Sequence, residues 1–179
     1  MALAVTHVIL TIVILDIFRH YVFGKEKFPR YLLVIGGIAG LAPDLDIPLS
    51  WIYSLISGIG AYYHGVFTHS IFWPIVFLVV GVILQQINKT KQKLKRSKKN
   101  TFNYMKWSKI SYVISAGWFM HLIFDCLYGG YNSMLWPIHT LTTFCPEFGL
   151  SSYAISIDAI ILVLWLIHEE LHQKIKDYF

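Results

Sequence analysis

Residues 69–88 read "HSIFWPIVFLVVGVILQQIN", and residues 89–100 that follow at once read "KTKQKLKRSKKN". The first stretch carries no Asp, Glu, Lys or Arg. As a helix its twenty residues rise about 30 Å, the thickness of a bilayer's hydrocarbon core. The second stretch is dominated by lysine, and no membrane helix continues through such a run. Together they fix the class as membrane protein and mark one side of the membrane with positive charge.

Working outward, the same pattern recurs. Residues 2–23 are apolar and long enough to span, interrupted by His7, Asp16, Arg19 and His20. They lack the basic start and small-residue cleavage site of a signal peptide, so this segment is expected to be retained. Residues 31–42, "YLLVIGGIAGLA", are apolar but short, and Pro43 is expected to stop them. Residues 48–63 then form an interfacial helix facing lipid or the second arm of a broken span. Residues 108–128 and 151–172 make two further spans, with the Gly/Pro turn region "GGYNSMLWPIH" after the first. The expected fold is an all-α, polytopic membrane bundle of about five segments, the second short or broken. It forms one domain over residues 1–179, with a basic, solvated loop at 89–109.

Composition agrees: 56% of residues are hydrophobic and only 14% charged, with a mean hydropathy of +0.56. Placement explains the net charge of +5. The fifteen Lys and Arg fall in the first loop (Arg19, Lys25, Lys27, Arg30), between Lys89 and Lys109, and at Lys174 and Lys176. With five alternating spans these regions share one side, which the positive-inside rule makes cytoplasmic, leaving the N-terminus outside. Aromatic residues do not alternate with the charges of the basic loop, so nucleic-acid binding is not expected. Cys126 and Cys145 have no metal-type spacing and are too few for a disulfide framework, so they leave the redox compartment open.

The polar residues inside the apolar segments carry the chemistry. His7, the pair Asp44 and Asp46 in "PDLD", His64 and His69 in "HGVFTHS", and His121 and Asp125 four residues apart all map to the outer ends of their segments. Ionisable groups at membrane depth are costly and are normally paired, metal-bound or wet. Convergence from four segments points to a metal centre. Imidazole and carboxylate ligands suit zinc, with manganese or iron as alternatives, and seven candidates leave room for one ion or two. Asp46 is the candidate base or bridging carboxylate, and His64 the candidate acid.

Four motifs, "THV" at 6–8, "LAPDLDIP" at 41–48, "HGVFTHS" at 64–70 and "HLIFDCLYGGYNSMLWP" at 121–137, occur in this order in the YdjM-like membrane-bound metal-dependent hydrolases. That family is also catalogued as LexA-binding, inner-membrane-associated hydrolases, and the chain resembles it from residue 7 to 137. The resemblance implies a helical membrane protein and a metal-dependent hydrolase with His7, Asp44, Asp46, His64, His69, His121 and Asp125 at matching positions. The His121–Asp125 step is also similar to that of zinc-dependent phospholipases C. Two departures stand out: Gly65 and Val66 replace the family's usual Arg-Gly, and Tyr128 stands where Thr is common.

A competing motif lies at the other end. Residues 168–172, "HEELH", are a literal H-E-x-x-H, the zinc-protease signature, which Asp16 and His20 could complete. It sits at the cytoplasmic end of the last span, and "HEELHQKIKDYF" also reads as an ordinary charged helix end. Asp158, two turns into that span, is expected to orient a ligand histidine or to bond a Ser or Tyr of a neighbouring helix. His139 and Glu147 are spare ligands or surface residues, and Trp51, Trp73 and Trp136 interface anchors. The function expected is hydrolysis of an ester or phosphoester in a lipid or lipid-linked substrate at the outer leaflet. The alternative is a non-enzymatic protein, either a metal-stabilised partner-binding scaffold or a divalent-ion carrier.

Overall fold

The computed structural model describes residues 3–60, 65, 67–93, 103–129, 134–137, 145, 148 and 150–173, the side chains of Lys93, His172 and Gln173 excepted. These residues form an all-helical bundle. Five helices are long and apolar enough to cross a membrane: α1 (Thr6–Phe23), α2 (Tyr31–Ser57), α3 (Phe72–Lys93), α4 (Tyr104–Gly129) and α5 (Ala154–Gln173), the last preceded by a 3₁₀ turn, Leu150–Tyr153. No strand occurs among the described residues.

The second segment takes the broken form that the sequence allowed. Tyr31–Leu41 is α-helical, Ala42–Leu45 tightens to 3₁₀, and Asp46–Ser57 resumes as α-helix. Proline is tolerated here because it opens the 3₁₀ turn, where its missing N–H is not needed and its fixed φ suits the helix. The segment is therefore one broken span of 27 residues. Its second arm stands clear of the bundle, with Leu55 at 84% and Ile56 at 82% exposure. Such an apolar arm is stable only against lipid.

The basic loop is also shorter than expected. Helix α3 continues to Lys93 and α4 starts at Tyr104, so Lys89, Lys91, Lys106 and Lys109 sit on helical turns. Lys and Gln are good helix formers, and Lys91 Nζ donates to the Tyr104 hydroxyl at 2.8 Å, tying the two helix ends together.

Helix α4 is the centre of the bundle. Along α3 it is held by Ser108 donating to the Gly81 carbonyl, Ser115 to the Pro74 carbonyl and Tyr112 to Gln85, at 2.7–2.8 Å. Hydroxyls serve this purpose in lipid, where burying apolar surface gives helices no reason to associate. Against α2 the approach is backbone to backbone: a Cβ on Gly117 would stand 2.5 Å from the Gly36 carbonyl oxygen, and one on Gly40 would stand 2.8 Å from the His7 carbonyl oxygen. Small residues thus draw α1, α2 and α4 together where the polar side chains lie. Helix α5 meets α1 mainly at α1's first turn. There Asp158, buried, accepts from the Val5 and Thr6 amides at 3.1 and 3.0 Å and from the Thr6 hydroxyl.

Candidate metal centre

Five of the polar side chains meet at the end of the bundle where α1 begins. His7 comes from a π-helical first turn of α1, Asp44 from the 3₁₀ turn of α2 and His69 from the turn before α3. His121 and Asp125 lie one turn apart on α4. His7, His69, His121 and Asp125 are at most 1% exposed, and the Asp44 side chain is 19% exposed.

The separations are those of atoms that can share one ion. Asp44 Oδ1 lies 3.3 Å from His69 Nε2 and 3.5 Å from His121 Nε2. Asp125 Oδ2 lies 3.6 and 3.3 Å from the same two nitrogens. His7 Nε2 is 3.5 Å from Asp125 Oδ1 and 4.0 Å from Asp44 Oδ2. Atoms tetrahedrally bound at zinc distances stand about 3.3 Å from one another. Two groups fit one ion each by proximity, His69–His121–Asp125 and His7–Asp44–His121, with all atoms within 4.8 Å. They share His121, whose Nε2 has one lone pair, so both groups cannot be filled through it at once.

What lies behind the imidazoles fixes which nitrogen faces inward. His121 Nδ1 is 2.7 Å from the Gly40 carbonyl, which can only accept, so Nδ1 carries the proton and Nε2 presents its lone pair. For His69, the Thr68 hydroxyl spends its proton on Asp46 Oδ2 at 2.6 Å and so accepts from Nδ1 at 3.0 Å. His69 Nε2 is therefore the inward lone pair as well. Such outer partners are how proteins orient metal-binding histidines. Both nitrogens of His7 and Nε2 of His121 are buried without a hydrogen bond among the described residues. Lone pairs this deeply buried and aimed at carboxylates fit a divalent cation.

A family model, YdjM inner membrane protein, matches residues 1–177. The chain belongs to the YdjM inner membrane protein family. No curated protein and no solved structure matches it. Against the YdjM-like motif pattern, the departure at Gly65 has a local cause. Its φ is +86°, a conformation that favours glycine, and its amide donates to Asp46 Oδ2 at 3.0 Å. Tyr128, the second departure, is buried in the apolar cluster of Phe124 and Ala154 that packs on Leu10 and Ile14 below His7.

Asp46 is placed differently from the expectation of a base or bridging carboxylate. Its Oδ2 lies 3.5 Å from His69 Nδ1, behind the ring and away from the converging atoms. Because the helix continues through "PDLD", residues two apart point to different sides, and only Asp44 faces the centre. His64, His139 and Glu147 lie outside the described residues. Asp158 orients no histidine directly; it holds the turn that bears His7. The H-E-x-x-H residues lie at the far end of the bundle, where the His168 side chain is 57% exposed. Asp16, which could have joined them, is ion-paired with Arg19 at 3.0 Å.

Three features escaped the sequence reading. Thr68 could have been found by asking what holds a ligand histidine from behind, since it precedes His69. The Gly40 carbonyl has no side-chain signal. Cys126 and Cys145 form a disulfide one residue past Asp125, where no framework was expected; only their shared position at the outer end pointed to it. Trp73 and Trp136 do more than anchor, packing edge-on around Phe67 in the turn that carries His69.

Proposed function

We propose that the protein is a membrane-bound metal-dependent hydrolase of an ester or phosphoester in a lipid or lipid-linked molecule, with its centre toward the outer leaflet. The observation that carries this reading is the meeting of Asp44, His69, His121 and Asp125, with both imidazole protons turned outward. When bound, a divalent ion such as zinc, manganese or iron would supply Lewis-acid polarisation of the substrate and acidify water. His69, His121 and Asp125 would hold it, with His7 and Asp44 completing the set or taking part of a second ion.

The protein's own residues then have separate tasks. Asp44 is the one carboxylate of the cluster open to solvent, so it is the group that takes a proton from the attacking water. Asp46, bound by Thr68 and Gly65, keeps His69 in its tautomer and orientation. His64, next in sequence to the anchored Gly65, is the candidate that returns a proton to the leaving oxygen. Gly117 and Gly40 keep the helices close enough for the Gly40 carbonyl to reach His121. The second arm of α2, whose exposed face is apolar and which is continuous with Asp44, gives a lipid substrate a route from the bilayer to the open side of the centre.

Two independent features support the orientation. Among the described residues the basic side chains all belong to the opposite end, and the Cys126–Cys145 disulfide at the centre's end suits an oxidising compartment. The deep burial of His7, His121 and Asp125 favours a second reading, a metal that only stabilises the bundle. One experiment separates the readings: metal analysis of the purified protein with hydrolysis assays on a panel of phospholipids and lipid-linked phosphoesters. Hydrolysis lost together with metal in His121→Ala supports the enzyme. A fully metallated protein inert toward every ester would make the ion structural, and a protein that takes up no metal would end both readings.

A further inference from the structure

A second cavity system lies at the end of the bundle away from the metal cluster. Between α1, α2 and α5 runs an apolar slot of about 330 Å³, walled by Ile12, Val13, Leu33, Val34 and Trp165. It shares Asp16, Ile17, Arg19, Arg30 and His168 with a polar chamber of about 460 Å³ that adds Lys25 and His20, so the two form one groove. The slot exists because α5 meets α1 chiefly at the other end.

The charges are unequal. Arg19, Lys25 and Arg30 line the groove against two carboxylates, Asp16 and Glu169. Arg19 is buried, bonded through Nε to the Phe28 carbonyl at 2.9 Å and through Nη1 to Asp16 at 3.0 Å. Asp16 is thus answered from within the protein, and one positive charge of the groove is left over. His20 donates from Nδ1 to the Asp16 carbonyl at 2.9 Å. The π-helical turn Arg19–Phe23 ends α1 here. From Arg19 to Ile12 the slot descends about 10 Å along the helix.

We propose that this groove is a binding site for one anionic phospholipid of the adjacent leaflet, its phosphodiester at Arg30 and Lys25 and an acyl chain in the slot. A slot with apolar walls opening at hydrocarbon depth is filled by a lipid chain and not by water. The net positive charge of the lining selects a lipid with net negative charge. Basic pockets between membrane helices recognise headgroups by this combination. The motif "HEELH" then has a place without catalysis, since His168 and Glu169 form the α5 side of the groove. The inference stands apart from the hydrolase reading, because it concerns the opposite end of the bundle.

The test uses the full chain, delipidated in neutral detergent, with native mass spectrometry to count bound lipid. Phosphatidylglycerol should be retained one per chain and phosphatidylcholine about tenfold less, while glycerol phosphate, which has the headgroup chemistry without chains, should not compete. Lys25→Gln with Arg30→Gln should lower phosphatidylglycerol retention roughly twentyfold, about fivefold for each cation. Val34→Trp, at a lipid-exposed position, should obstruct the slot and lower retention of both lipids while leaving the charges in place. Equal retention of the two lipids, unchanged retention in the charge variant or in Val34→Trp, or full competition by glycerol phosphate would each overturn the proposal.

Discussion

The two ends of α1 carry similar residues in different surroundings. At one end His7 faces Asp44, Asp125 and His121; at the other, His20 and Asp16 lie near His168 and Glu169. Composition alone would make either a metal site, and the second end even has the named protease motif. Two physical differences separate them. At the His7 end no Lys or Arg is near in sequence, so the acids have only histidines to face; at the other end Arg19 is paired with Asp16 at 3.0 Å. At the His7 end the imidazole protons are occupied from behind by Gly40 and Thr68. At the other end His20 bonds its own helix backbone, and the His168 side chain is 57% exposed. Ligand sets are recognised by what stands behind the ligands and by the cations that are missing.

The sharpest way to break this comparison is to remove one histidine from each end. His121→Ala should weaken metal binding by more than the roughly 10²-fold that outer-sphere partners are worth, and His168→Ala should leave it unchanged. Metal content after dialysis against a chelator decides it; equal loss in both variants would erase the distinction. Next in size is Asp44→Asn, which should lower turnover on a cleaved ester by about 10²-fold while the variant still folds. An unaltered rate would take Asp44 out of the proton transfer. Thr68→Val and Asp46→Asn should each reduce metal affinity about tenfold, with occupancy restored by excess metal, because both loosen His69 without removing a facing atom. If Asp46→Asn instead cost as much as His121→Ala, Asp46 would belong among the ligands. Gly117→Ala acts on stability and not on the facing atoms, at about 1–3 kcal/mol from forcing α2 off α4. Thermal melts with and without metal should show lower stability and a smaller gain from metal, since Gly40 is carried away from His121.

Orientation can be checked separately by labelling single cysteines in intact cells. Gly60→Cys should react with an impermeant reagent and Lys95→Cys should not. Background is low because Cys126 and Cys145 are joined. Labelling of position 95 from outside would reverse the topology.

The spans were legible because twenty apolar residues have few alternatives to crossing a bilayer. His7, Asp44, His69, His121 and Asp125 stood out because ionisable groups are rare in such segments. The break at Pro43 was legible because proline interrupts an α-helix; that a 3₁₀ turn bridges the two arms was not, because proline opens a helical turn as readily as it closes one. The side to which Asp46 turns was not legible: a terminating turn can aim two carboxylates at one point, whereas a continuing helix cannot. Carbonyl partners such as that of Gly40 are invisible in principle, because every residue has one.

One contact ties the beginning of the chain to its end. The first amides of α1, which no turn of their own helix can satisfy, are received by Asp158 of α5 across more than 150 residues. The helix bearing His7 precedes α5 by more than 130 residues in sequence, yet α5 supplies the acceptor for its opening turn. A chain cut short before α5 would still own His7, Asp44, His69, His121 and Asp125, but with His7 on a frayed turn. Assembly of the His7 side of the cluster therefore depends on α5 being in place.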